Sequence, residues 1–128
     1  MKIEHIAIWV KDLEKMRDFY TRYFGMKCNE KYINEMKKFS SYFLSFESGT
    51  RIEIMHKAGI SDQQIDCAEM YGLAHFAISV GDRRKVEKLT EDFRNNGIKV
   101  IGGPRVTGDG CYESIVQDPE GNLVEITE

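Results

Sequence analysis

The sequence predicts an α+β fold in which two βαβββ modules form a cupped, mostly antiparallel sheet. Two observations support this prediction. A strand and helix pattern near the start of the chain recurs 70 residues later (75 minus 5). Each copy is then followed by three further β-rich runs separated by turn residues.

The opening strands of the two modules match position by position. IEHIAIWVKD at residues 3–12 aligns with LAHFAISVGD at residues 73–82, with identical His, Ala, Ile, Val and Asp residues. In both runs, bulky apolar residues alternate with other residues, which is typical of a strand with one buried face. Both histidines belong to the face opposite the regular apolar positions.

A helix is predicted after each opening strand. Asp12 and Asp82 are suitable N-caps, and Gly25 and Gly97 are suitable stops. Between the caps and stops, apolar residues recur at helical spacing: Leu13, Met16, Phe19, Tyr20 and Tyr23 in the first helix, and Val86, Leu89 and Phe93 in the second.

Three β-rich runs complete each module. They cover residues 26–28, 42–46 and 51–56 in the first module and residues 98–100, 112–117 and 122–127 in the second. We therefore expect one domain over residues 1–128, made of modules 1–57 and 71–128 with a connector at 58–70.

Composition and charge exclude several functional classes. The hydrophobic content of 41% in 128 residues is sufficient for one compact core. With 18 basic and 21 acidic residues and no basic stripe, nucleic acid is not an expected partner. No run is apolar enough for a signal peptide or membrane span, so the prediction is a cytoplasmic protein. The three cysteines, without a Cys-x-x-Cys pair, indicate reduced thiols: Cys28, Cys67 and Cys111.

Each module supplies one histidine on its first strand and one glutamate on its last strand. His5 and Glu53 are 48 residues apart (53 minus 5), and His75 and Glu125 are 50 apart (125 minus 75). Two similar modules packed about a pseudo-twofold axis would place these four side chains around one point. The predicted site is one divalent metal ion, because two imidazoles and two carboxylates form a cation-binding set.

These ligand types suit Zn, Ni, Co, Mn or Fe(II), and no organic cofactor is indicated. Four protein ligands leave two positions on an octahedral ion for adjacent oxygens of a small substrate. The alternative is structural, because a lone strand histidine is usually hydrogen-bonded or exposed and a lone glutamate is usually solvated. Repetition of the pair in register favours the metal site.

The residues resemble the vicinal oxygen chelate superfamily, which includes glyoxalase I, methylmalonyl-CoA epimerase, extradiol dioxygenases, fosfomycin-resistance enzymes and bleomycin-binding proteins. The resemblance is carried by HIAIWVKDL at residues 5–13, by FY and FG within 19–25, and by DPEGN at 118–122 followed by Glu125. It covers nearly the whole chain. It implies the glyoxalase/dihydroxybiphenyl dioxygenase-like fold and a homodimer, with the metal either within one chain or between chains.

Within the superfamily, the order His, Glu, His, Glu is most similar to glyoxalase I. Epimerases generally have Gln in place of Glu53, and bleomycin-binding members lack the metal set. Short glyoxalase I enzymes hold glutathione with an Arg four residues after the first His and an Asn four residues after the first Glu. Here these positions are Trp9 and Lys57, which argues against glutathione as the thiol.

The predicted reaction is a metal-assisted proton transfer next to a carbonyl, with Glu53 and Glu125 as bases. Trp9, Lys57, Arg105 and Tyr112 are the predicted substrate-binding residues. Arg105 lies in the glycine-rich run 102–110, predicted either as a loop over the site or as a plain hairpin connection with a solvated Arg105. Trp9 is equally suited to a dimer contact.

Two other functional classes remain open at the level of sequence. One is a metal-dependent transferase or dioxygenase of the same superfamily. The other is a non-catalytic protein that sequesters a small molecule such as a drug. The metal content of the purified protein would discriminate between them.

Overall fold

The computed structural model describes residues 2–60, 72–108 and 110–128. The chain divides into two compact units, Met1–Gln63 and Gln64–Glu128, each of which contains one module. Most of the predicted connector, from residue 61 to residue 70, lies outside the described residues. The single domain over residues 1–128 therefore stays a prediction.

The first module forms a mixed sheet with one helix. Its elements are β1 (His5–Trp9), α1 (Leu13–Phe24), β2 (Lys27–Cys28), β3 (Tyr32–Asn34), β4 (Phe39–Ser45) and β5 (Arg51–Lys57). β1 pairs with β5 in parallel, β5 pairs with β4 antiparallel, and β2 and β3 both pair with β4 antiparallel. The predicted βαβββ order is confirmed, with the short strand β3 as an addition.

The second module repeats this arrangement. Its elements are β6 (Phe76–Ser79), α2 (Arg83–Asn95), β7 (Val100–Val106), β8 (Tyr112–Gln117) and β9 (Leu123–Thr127). The strand order in its sheet is β6-β9-β8-β7. β6 pairs with β9 in parallel, and the other two pairs are antiparallel.

The glycine-rich run 102–110 differs from its predicted loop conformation. β7 continues to Val106, with two register shifts against β8 between Val100 and Arg105. Bulges of this kind let a strand accommodate glycines while keeping its ladder. The loop prediction is therefore wrong for residues 102–106, which belong to the sheet.

The predicted helix caps are confirmed. The Asp12 side chain accepts a hydrogen bond from the backbone N–H of Lys15 at 3.0 Å, and Asp82 does the same for Lys85 at 3.0 Å. The Lys85 N–H lowers the pKa of Asp82 below its usual range. Gly25 ends α1 with a φ of 66°, which a residue with a Cβ adopts reluctantly. In the described part of the chain, neither helix is long and apolar enough to span a bilayer.

Each helix packs on one face of its own sheet. In the second module the core differs from the sequence prediction at one turn of α2, where Thr90 is buried and Leu89 only half-buried. Thr90 Oγ1 donates to the Val86 carbonyl and lies 2.7 Å from Ser114 Oγ. Strongly buried core residues include Met16, Tyr20, Leu44, Ile52 and Ile54 in the first module and Val86, Phe93, Val116, Val124 and Ile126 in the second.

The turn between β8 and β9 depends on one buried carboxylate. Asp118 is 4% exposed and accepts hydrogen bonds from the backbone N–H groups of Glu120 at 3.0 Å and Asn122 at 2.9 Å, and from Asn122 Nδ2 at 2.8 Å. Asp118→Ala leaves these donors unpaired, so we expect the free energy of unfolding to fall by about 2 kcal/mol. Urea denaturation measures this, with the exposed-site variant Glu91→Ala expected within about 0.5 kcal/mol of wild type.

Candidate metal-binding site

The first module brings an imidazole and a carboxylate together across its parallel strand pair. Glu53 on β5 is flanked in register by Ala7 of β1 and Phe43 of β4. His5 precedes Ala7 by two residues, so its side chain is on the same face as Glu53. Because Ala7 is small, the two groups approach each other, and His5 Nε2 lies 3.8 Å from Glu53 Oε2.

The second module repeats this geometry with different neighbours. Glu125 on β9 is flanked by Ala77 of β6 and Ile115 of β8. His75 lies directly before β6, and its Nε2 is 3.5 Å from Glu125 Oε2. Both modules therefore present one histidine and one glutamate on the sheet face opposite their helix.

In each module, the exposure of the pair fits cation binding from one open side. The Glu53 and Glu125 side chains are 16% and 17% exposed, whereas His5 and His75 are 39% and 45% exposed. A mostly buried carboxylate is stabilised when a cation or a donor faces it. Imidazole nitrogen with carboxylate oxygen is the donor combination that Zn, Ni, Co, Mn and Fe(II) accept.

Two ligands alone hold such an ion weakly, because protein metal sites of this type use three or four. Within residues 2–60, 72–108 and 110–128, no group of three or more His, Cys, Asp or Glu side chains is close enough to hold a metal. Convergence of the two pairs on one ion therefore stays a prediction.

A second carboxylate contacts His5 and was not identified from the sequence. Glu4 Oε2 lies 2.5 Å from His5 Nδ1, and the other Glu4 oxygen pairs with the Arg51 guanidinium. The hydrogen bond with His5, together with Arg51, lowers the pKa of Glu4. The Arg51 guanidinium carbon lies 4.1 Å from the centre of the Phe43 ring, and the His5 ring meets Phe43 edge-on.

Trp9 and Lys57 lie at the far end of the face that carries Glu53. Trp9 pairs in register with Met55, and Lys57 with Phe39. Trp9 is 48% exposed, and its ring packs edge-on against the Phe39 ring, with centroids 6.1 Å apart. Phe39, which was not predicted from the sequence, makes this end of the face aromatic together with Trp9.

Arg105 lies on the face of the second module that carries Glu125. It pairs in register with Glu113, and its Nη2 atom is 3.3 Å from Glu113 Oε1. The Glu113 side chain is 8% exposed and that of Arg105 is 59% exposed. A buried carboxylate therefore anchors a guanidinium that remains available to an anionic group.

Tyr112 lies on the opposite face of the same sheet. Its hydroxyl donates to Glu87 of α2 at 2.9 Å, and the Arg83 guanidinium lies 5.0 Å from its ring centre. The bond to Glu87 raises the pKa of Tyr112. The structure does not place Tyr112 with Glu125, because strand alternation turns residue 112 towards the helix.

His56 also lies on the helix side of its sheet. Its Nδ1 atom is 3.0 Å from the backbone carbonyl of Val10 and it is half-buried. Because side chains alternate between the two faces of a strand, His56 and Glu53, three positions apart on β5, point to opposite faces. This position is that of a structural histidine.

Known proteins are similar to this chain in sequence and in fold. The family model of the Glyoxalase/Bleomycin resistance protein/Dioxygenase superfamily matches residues 2–126. A lactoylglutathione lyase of Arabidopsis thaliana is 36% identical over 95% of this chain and 42% of its own length. The lactoylglutathione lyase of Escherichia coli O157:H7 is 32% identical over 100% of this chain and 93% of its own length.

A solved structure gives the same result. The trypanothione-dependent glyoxalase I of Leishmania major superimposes with a TM-score of 0.78 at 29% identity, covering 100% of this chain and 86% of the other. The predicted α+β fold class is thereby confirmed. The chain spans less than half of the plant relative and nearly all of the bacterial one. The sequence and the fold place the chain in the glyoxalase/bleomycin resistance protein/dioxygenase superfamily.

Proposed function

We propose that this protein is a metal-dependent lyase or isomerase of the glyoxalase I type, which moves a proton next to a carbonyl of a small substrate. One observation carries the proposal. Each module holds an imidazole nitrogen and a carboxylate oxygen within 3.5–3.8 Å of each other on an accessible sheet face. The similarity to lactoylglutathione lyases supports it independently.

In this proposal His5, Glu53, His75 and Glu125 together hold one ion of Zn, Ni, Co, Mn or Fe. The ion, when bound, supplies electrophilic stabilisation of the negative charge that develops on adjacent substrate oxygens. The two pairs converge either within one chain or between two copies in a homodimer. The protein is proposed to act in the cytoplasm.

The two carboxylates provide the proton transfer. One of Glu53 and Glu125 takes the proton from the carbon next to the carbonyl, and the same group returns it to the neighbouring carbon. The small residues Ala7 and Ala77 lie beside them in register, and both are exposed. This access supports a role as base in addition to a role as ligand.

Substrate recognition is proposed to involve Trp9, Lys57 and Arg105. The edge-on contact between the Trp9 and Phe39 rings makes an aromatic surface that favours an apolar group of the substrate. The Arg105 guanidinium favours an anionic group. The relatives' names refer to glutathione and to trypanothione, so the thiol varies between members. We propose a thiol other than glutathione for this chain, because Trp9 cannot form a bidentate pair with a carboxylate.

The double substitution Trp9→Arg with Lys57→Asn tests this specificity. We expect it to raise kcat/KM for the glutathione adduct of methylglyoxal by about 10-fold, corresponding to about 1.4 kcal/mol of recovered binding. The formation of the thioester product is followed by its absorbance. An unchanged or lower value with glutathione, in a variant that still binds metal, would contradict the specificity proposed for these positions.

The function itself is tested by screening protein loaded with each of the five metals against methylglyoxal and several thiols. The panel contains glutathione, trypanothione, cysteine and coenzyme A. Metal-dependent product formation with at least one thiol is the expected result. Elemental analysis showing no bound metal after loading, together with no turnover for any thiol, would overturn the proposal.

A further inference from the structure

The two histidine and glutamate pairs have different surroundings. In the first module, Glu4 contacts His5 and Arg51 contacts Glu4. In the second module the residue before the histidine is Ala74, and the residue two before the glutamate is Leu123. The duplication is therefore symmetrical in the paired ligands and asymmetrical in the residues that support them.

We propose that Glu4 and Arg51 are positioning residues that fix the tautomer and the orientation of His5. This inference rests on the proposed function, because it assigns His5 a ligand role. The two residues are not ligands themselves and act only through the His5 ring.

The hydrogen bond to Glu4 selects one tautomer of His5. An ionised carboxylate only accepts, so the neutral ring must carry its proton on Nδ1, which lies 2.5 Å from Glu4 Oε2. The lone pair is then on Nε2, the nitrogen nearer to Glu53 at 3.8 Å. Outer carboxylates of this kind orient metal-binding histidines and make them more basic.

Arg51 in turn limits the freedom of Glu4. Its guanidinium pairs with the second Glu4 oxygen and stacks on Phe43, while its backbone N–H donates to the Glu4 carbonyl at 3.0 Å. The His5 ring rests edge-on against the same Phe43, with centroids 5.4 Å apart. The ring of His5 is therefore confined from two sides, by Glu4 and by Phe43.

The expected effect of losing Glu4 is moderate. Loss of an outer partner costs about 10- to 100-fold in metal affinity. Glu4 is 55% exposed, and an exposed charge is screened by water and salt. We therefore expect Glu4→Ala, which installs the residue of the second module, to weaken metal affinity by about 10-fold.

The test combines metal affinity with a direct measurement on the ring. Zn affinity is measured by competition with a chromophoric chelator in wild type, Glu4→Ala, Arg51→Leu and the control Glu47→Ala, which removes a carboxylate that is 91% exposed. Nitrogen NMR of the metal-free proteins reports which His5 nitrogen carries the proton. We expect the Nδ1–H form in wild type and the control, and a larger share of the Nε2–H form in the two variants.

The outcomes separate this inference from the proposed function. Wild-type protein that binds no Zn, Ni, Co, Mn or Fe would overturn the proposed function and this inference with it. Metal binding that is equal in wild type and Glu4→Ala, with an unchanged His5 tautomer, would overturn only the inference. Glu4→Gln keeps an acceptor oxygen, so partial recovery of affinity and of the Nδ1–H form is the result expected of a positioning role. Thermal unfolding of every variant identifies any loss of fold.

Discussion

Glu125→Gln is expected to lower kcat/KM for the metal-dependent reaction by about 10²- to 10⁴-fold, the usual contribution of a general base. Glutamine has the same shape as glutamate and keeps an oxygen that can face the ion, but it cannot take a proton at neutral pH. Glu125 is on a strand with Ala77 and Ile115 beside it, so the substitution leaves the packing of the apolar face unchanged. Turnover of the substrate found in the thiol screen measures the effect.

The matched control is Glu91→Gln, which neutralises an exposed glutamate on α2 of the same module. We expect it to keep wild-type activity. Circular dichroism and metal content must be recorded for both variants, because loss of the ion would also lower turnover. A metal-loaded and folded Glu125→Gln protein with wild-type kcat/KM would refute the role of Glu125 as base. The same comparison for Glu53→Gln shows whether the two carboxylates share the proton transfer.

Much of this fold follows from local patterns in the sequence. Strand alternation predicted that His5 avoids the apolar face, and the structure places it on the face opposite α1, together with Glu53. The caps Asp12 and Asp82 were predicted from residue type and position. A short side chain with an acceptor oxygen, directly before an apolar helical pattern, is a preferred N-cap. These features could be predicted because they depend on residues close in sequence or on the alternation of side chains along one strand.

Several features that depend on tertiary neighbours were not predicted. Thr90 replaces Leu89 in the core because Ser114 on β8 offers it a hydrogen-bonding partner, and no pattern within α2 reveals that partner. The glycines of β7 indicate a loop by composition, yet β8 supplies a partner strand for them. The contact between Glu4 and Arg51 joins residues 47 positions apart (51 minus 4), although Glu4 beside a candidate ligand histidine was a visible signal.

Metal titration of single-ligand variants tests whether the two pairs form one centre. A single shared site predicts one tightly bound ion per chain, and loss of that ion in both His5→Ala and His75→Ala. The expected loss of affinity is more than about 100-fold in each variant, beyond the effect of an outer partner such as Glu4. Isothermal titration or chelator competition with Zn, at micromolar protein, measures both the stoichiometry and the affinity.

Two independent pairs would behave differently. Each would bind weakly with two ligands, giving two ions per chain, and His5→Ala would remove one while leaving the other unchanged. His56→Gln is the histidine control, because His56 faces away from Glu53 and contacts the Val10 carbonyl instead. We expect it to keep wild-type stoichiometry. Since a substrate with two adjacent oxygens needs one ion with strong protein ligands and free positions, the two-ion result would remove the basis for the proposed chemistry.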